Sequence, residues 1–114
     1  MSNAEDSPHL PIEDFRKYGY QLVDWLADYF SNIDEERILP DIAPGDIRAM
    51  LPETAPDQAE SMDDILADLD RIVMPGMAHW QHPGWFAFFP SGVSPVSVLG
   101  EFVAAGLATQ GIRP

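Results

Sequence analysis

Proline sets the first limit on what this chain can become. Eleven of its 114 residues are proline, and each one removes a backbone N–H and fixes φ, so regular elements must fit between them. The chain is thereby cut into short segments, and the best patterned of these follows Pro11. Pro11 suits a first helical position, where a missing N–H costs nothing. Glu13 and Asp14 follow in the first turn, where the helix dipole favours anions. Phe15, Tyr18, Leu22, Trp25, Leu26, Tyr29 and Ile33 then recur at three- and four-residue steps, which predicts one long helix over 11–33. Val23 and Phe30 widen its apolar stripe. Gly19 costs about 1 kcal/mol relative to alanine inside a helix, so a close helix crossing is expected there.

Residues 1–10 read as a frayed lead-in or a tag, and 34–44 as a connector. Ile38-Leu39-Pro40 must be extended before its proline, and Pro44-Gly45 marks a turn. Asp46 is expected to cap a short helix over 47–51, which Pro52 ends, and 52–60 reads as a solvated loop. Ser61, with Asp64 three residues on, gives a capping-box-like start to a second main helix. Ile65, Leu66, Leu69, Ile72 and Val73 form its apolar face, and Pro75-Gly76 stops it. Residues 79–92 then hold five aromatic rings and two histidines. Their prolines and glycines forbid a regular helix, so an extended, partly irregular strip is expected. From Pro95 the helical pattern returns: Val96, Leu99, Phe102, Val103, Gly106 and Leu107 share a face. Glu101 is nearly the only charge on this last helix, so almost all of its circumference wants burial. The expected fold is all-α and open: long helix, short helix, second main helix, aromatic strip and final apolar helix, poorly globular as a monomer.

Charge excludes several partners. Nineteen acidic residues against six basic ones give a net charge of −13 and a pI near 4.2, which argues against nucleic acid and against an anionic membrane surface. No run approaches the roughly 20 apolar residues a bilayer-spanning helix needs, and the acidic start is unlike a secretory signal. A cytoplasmic protein is the expectation. Without cysteine there is no disulfide framework and no thiolate metal site. His79 and His82 share no helical face and have no third ligand nearby, so they read as polar tips of a packed aromatic segment. Asp34-Glu35-Glu36 and Asp63-Asp64, with Asp68 and Asp70, lack the spacing of a calcium loop and read as solvated faces. Ser91, Ser94 and Ser97 lack a nucleophile elbow. Lys17, the one lysine, reads as an exposed ammonium. The residues alone therefore form no catalytic constellation. The aromatic segment is either an ordinary core strip or one wall of a ligand or partner pocket, where rigid rings on a proline-fixed backbone give reproducible contact area.

Its letters are informative. Met74-Pro75-Gly76-Met77-Ala78-His79-Trp80-Gln81-His82-Pro83, followed by Phe86-Ala87-Phe88-Phe89-Pro90, resembles the N-terminal region of the pyridoxal-phosphate-dependent group II amino-acid decarboxylases, with the aromatic-L-amino-acid decarboxylases nearest. Phe15-Arg16-Lys17-Tyr18-Gly19 with Val23-Asp24-Trp25 resembles their first helix. Pro40-Asp41-Ile42-Ala43-Pro44-Gly45-Asp46-Ile47-Arg48 resembles their connector. The likeness covers about residues 12–110.

The resemblance implies a helical flap that wraps over the neighbouring subunit of a homodimer. Residues 11–92 would form this domain and 93–114 the start of a truncated cofactor-binding domain. Trp80, Phe88, Phe89, Pro90 and Ser91 would line the substrate side-chain pocket. Ser91 stands where aromatic decarboxylases usually have threonine, and Phe88 where many have tyrosine. Gln81-His82 and Gly84 depart from the commoner His-Ser and Tyr, so the amino acid is not fixed by the likeness. The family's cofactor lysine, its two functional histidines and the aspartate that pairs with the ring nitrogen would all fall beyond residue 114; Lys17 does not match that lysine. The resemblance thus implies a fragment of a carboxy-lyase that turns an amino acid into an amine and CO2. It would supply dimer contacts and part of a pocket, and be inactive alone. Pyridoxal phosphate and the amino acid would bind the full-length enzyme and not this piece. Its partner would be a second copy or the missing remainder. The alternative is a stand-alone acidic dimerisation module without activity.

Overall fold

The computed structural model describes residues 9–88 and 92–111. Helix α1 spans Ile12–Ser31. Pro11 lies just outside it and its carbonyl accepts the Phe15 N–H at 2.9 Å, so the proline caps the helix instead of starting it. At the other end the Asn32 side-chain amide and backbone N–H both donate to the Asp28 carbonyl, at 2.9 and 3.0 Å. The chain then tightens into a 3₁₀ turn, Ile33–Glu35, which takes Ile33 out of the α-helical stripe.

Helix α2, Asp46–Met50, begins after Gly45, whose φ of 97° only glycine adopts cheaply. Asp46 sits inside α2 and is not its cap. Its carboxylate accepts the Ala43 N–H at 2.7 Å and so closes the Pro44-Gly45 turn. Leu51 is extended ahead of Pro52, as the residue before a proline must be. Helix α3, Met62–Asp68, is capped as its letters suggest: Ser61 Oγ accepts the Asp64 N–H at 3.1 Å. The same hydroxyl donates to the Asp64 carboxylate at 2.7 Å.

Beyond α3 the helix does not simply stop at Pro75. It widens into a π turn, Leu69–Val73, in which the Met74 N–H reaches back to the Leu69 carbonyl, and ends with one turn, α4, over Met74–Gly76. The cause is steric. A proline ring collides with the carbonyl four residues back and offers no N–H, and a wider turn moves that carbonyl aside. Helix α5, Pro95–Leu107, has a full capping box: Ser94 Oγ accepts the Ser97 N–H at 3.2 Å and Ser97 Oγ accepts the Ser94 N–H at 2.9 Å.

These helices enclose little. Ile72 is the one apolar side chain buried among the described residues. The radius of gyration is 17.7 Å, where a compact chain of this length would have about 13 Å. No strand occurs among the described residues. The arrangement is therefore all-α and open, as the patterning requires. Helix α5 meets α1 through Phe15 and Phe102, stacked at 6.4 Å with their planes 4° apart. Its own apolar face stays uncovered, with Val96 79% and Leu107 70% exposed. The crossing expected at Gly19 is not made, since no atom beyond its own stretch of helix lies within 4 Å of where a Cβ would stand. Among the described residues no helix is long and apolar enough to cross a membrane.

Candidate functional site

The aromatic strip is irregular, but it is coiled by turns more than it is extended. The His82 N–H donates to the His79 carbonyl at 3.0 Å and the Trp85 N–H to the His82 carbonyl at 2.9 Å. Two successive turns thus bring residues 80 and 85 side by side. The Trp80 and Trp85 rings stack at 5.4 Å, 14° apart. Phe88 closes the group at 6.4 Å from each indole. Phe88 does so with φ of 58°, a left-handed conformation that costs a residue other than glycine about 1–2 kcal/mol. The Trp85 indole N–H donates to the Ala87 carbonyl at 2.6 Å, fixing the chain just before Phe88. The stack is not sealed inside the fold: Trp80 is half exposed, Phe88 is 77% exposed and neighbouring Phe86 92%. Of the pocket residues that the resemblance implies, Trp80 and Phe88 are brought together. Phe89, Pro90 and Ser91 lie outside the described residues.

The two histidines turn to different partners. His82 Nδ1 accepts the Gly84 N–H at 2.8 Å, so its proton sits on Nε2, which faces the Asp34 carbonyl at 3.2 Å. His79 is 3% exposed and faces α1: the Tyr29 hydroxyl is 2.8 Å from its Nδ1, and Glu36 Oε2 is 3.9 Å from its Nε2. The His79 backbone N–H also donates to the Ile38 carbonyl at 3.0 Å. Burial pushes the Tyr29 phenol above its ordinary pKa, and the negative charge of Glu36 adds to the rise. His79 is therefore a buried hub and not a polar tip.

Two of the acids that read as solvated also hold partners distant in sequence, one half-buried and one at the surface. Glu36 is half-buried beside His79. Asp70 accepts the Trp25 indole N–H at 3.0 Å and so ties α1 to the π turn. No local spacing could have marked Tyr29, Glu36 or Asp70, because each partner is more than forty residues away along the chain. Two shallow hollows flank this region. One, of about 250 Å³, is lined by Trp25, Asp28, Tyr29, Glu36 and Asp70 among others; the second, of about 210 Å³, includes Glu36, Arg37, Met77 and His79. Neither is lined by Trp80 or Phe88. Lys17 lies on exposed α1 with its ammonium 5.0 Å from the centre of the Tyr18 ring.

Comparison with known proteins gives this geometry a context. The pyridoxal-dependent decarboxylase conserved domain matches residues 44–113, more than half of the chain. An aromatic-L-amino-acid decarboxylase of Catharanthus roseus is 39% identical over 113 residues, covering 97% of this chain and 23% of that protein. A phenylacetaldehyde synthase of Arabidopsis thaliana is 40% identical over 113 residues, with 97% and 23% covered. Among solved structures, Catharanthus roseus tryptophan decarboxylase in complex with L-tryptophan superposes with a TM-score of 0.84 at 39% identity, over 94% of this chain and 23% of that one. The chain spans less than a quarter of the length of these relatives, and its likeness is to their N-terminal region. With the helices, the turn-coiled strip and the matched sequence in agreement, this chain belongs to the pyridoxal-dependent decarboxylase family.

Proposed function

We propose that this segment serves a cytoplasmic carboxy-lyase that releases CO2 from an amino acid to give an amine, and that it does so by covering a neighbouring subunit. In this reading α5 and the aromatic strip lie against a second copy, and Trp80 and Phe88, with Phe89, Pro90 and Ser91, face the substrate side chain. The observation that carries it is the stack of Trp80, Trp85 and Phe88, exposed at Trp80 and Phe88, together with the uncovered face of α5. Apolar surface of that extent is what a subunit interface buries.

The family's cofactor supplies the electron sink for loss of CO2. The described residues do not fit as its cradle. The single lysine stands at an exposed position of α1 with its ammonium over the Tyr18 ring. In this reading the cofactor's residues belong to the remainder of the enzyme, and the work of this segment is packing and positioning. Trp80→Ala in the full natural gene product, supplied with pyridoxal phosphate, tests the reading. Release of CO2 from an amino acid by the parent protein, with KM raised and cofactor absorbance unchanged in the variant, is the expected result. A gene product that ends at residue 114 and releases no CO2 would overturn it in favour of a stand-alone dimerisation module.

A further inference from the structure

His79 is the most deeply buried polar side chain among the described residues, and the proposed function gives it no task. An apolar side chain would fill its place at less cost, because an imidazole withdrawn from water costs about 1–3 kcal/mol unless its nitrogens are satisfied. Nδ1 is: with the proton on Nε2 it accepts the Tyr29 hydroxyl at 2.8 Å. Nε2 faces the Glu36 carboxylate at 3.9 Å, beyond hydrogen-bond length, so the carboxylate acts on that side through its charge. The rings of Tyr29 and His79 also meet at 5.6 Å. The directional bond at Nδ1 and the carboxylate charge facing Nε2 favour one orientation of the ring, which contact with apolar neighbours alone would leave free to rotate. Meanwhile the backbone of residue 79 is held on both sides: its N–H on the Ile38 carbonyl, its carbonyl on the His82 N–H. The next residue is Trp80.

We propose that Tyr29 and Glu36 act through His79 as a clamp that positions the ring stack. The carboxylate sets the tautomer, the phenol locks the imidazole, and the locked residue 79 fixes the direction in which the two turns start. Trp80 is thereby laid against Trp85 and Phe88. His79 is a positioning residue: nothing in the geometry has it touch a substrate. The inference rests on the proposed function only for what the positioned rings face, and its test reads the rings and not the reaction.

The full natural gene product is labelled with fluorotryptophan in its assembled form, and the fluorine NMR resonances of Trp80 and Trp25 are assigned with W80F and W25F. Tyr29→Phe and His79→Ala should move the Trp80 resonance toward that of free tryptophan and broaden it. Trp25, anchored on Asp70 and stacked at 5.9 Å on the Tyr29 ring, which Tyr29→Phe retains, should move far less than Trp80 and report that the helices persist. His79→Asn, whose amide oxygen stands where Nδ1 stood, should keep the Trp80 resonance near its original position. An unmoved Trp80 signal in Tyr29→Phe would overturn the proposal, and this variant decides alone if His79→Ala fails to fold, since it removes only a hydroxyl. A shift in His79→Asn as large as in His79→Ala would overturn it as well.

Discussion

Replacing Gly84 by alanine tests how tightly the strip is fitted to the connector. The backbone of Gly84 is open to any residue, since its φ is not positive, so the effect is steric. The new methyl would stand 2.7 Å from Ile38 Cδ1 and 3.1 Å from His82 Nδ1. The Ile38 tip can swing away. The imidazole has less freedom, because its Nδ1 holds the Gly84 N–H and its Nε2 holds the Asp34 carbonyl. Overpacking costs about 1–3 kcal/mol, and each neutral hydrogen bond that must loosen about 0.5–1.5 kcal/mol, so Gly84→Ala should destabilise by about 2 kcal/mol. Removing the imidazole first, with His82→Ser, takes away the rigid neighbour and leaves only the movable one. The same methyl should then cost about 1 kcal/mol less, a coupling of the size that residues in contact show. Urea unfolding followed by far-ultraviolet circular dichroism gives all four corners of the cycle, with the slope held constant across variants. An equal cost of Gly84→Ala in both backgrounds would refute the idea that His82 occupies the space beside residue 84.

Two other outcomes follow from single residues. Ala108 closes α5 in a left-handed conformation, φ 49° and ψ 42°, so Ala108→Gly should stabilise by about 0.5–1 kcal/mol; a lowered urea midpoint would contradict it. Tyr29 has a raised pKa, from burial first and Glu36 second, so the unfolded phenol ionises before the folded one. Its contribution to stability is fully present below pH 10.0, the ordinary tyrosine value, and is lost as pH rises through the higher folded value. Urea midpoints across this alkaline range should fall more steeply for the parent chain than for Tyr29→Phe, and equal slopes would contradict the assignment.

Much of the fold is legible in the letters because helical spacing is local. The stripe from Phe15 to Phe30, the Ser61–Asp64 cap and the uncharged face of α5 each involve residues within one or two turns of one another. The open arrangement also follows from composition, since α5 has little but Ser97 and Glu101 to offer water. What was hidden depends on distant partners. Nothing near Glu36 or Asp70 announces that one will stand beside His79 and the other beneath Trp25, so they look like any other surface acid. The widened turn at Leu69–Val73 answers a clash that Pro75 creates only once the helix is built. Phe88 gives no sign of its positive φ, because the usual signal is a glycine. Gly19, which does look like a contact point, faces open space within a single chain.

The central claim is that α5 and the strip are surfaces made for another polypeptide. Sedimentation equilibrium of the 114-residue chain over a wide concentration range tests it most directly. The account predicts a species of twice the 12.7 kDa chain mass; a well-behaved monomer at the highest concentration would contradict it.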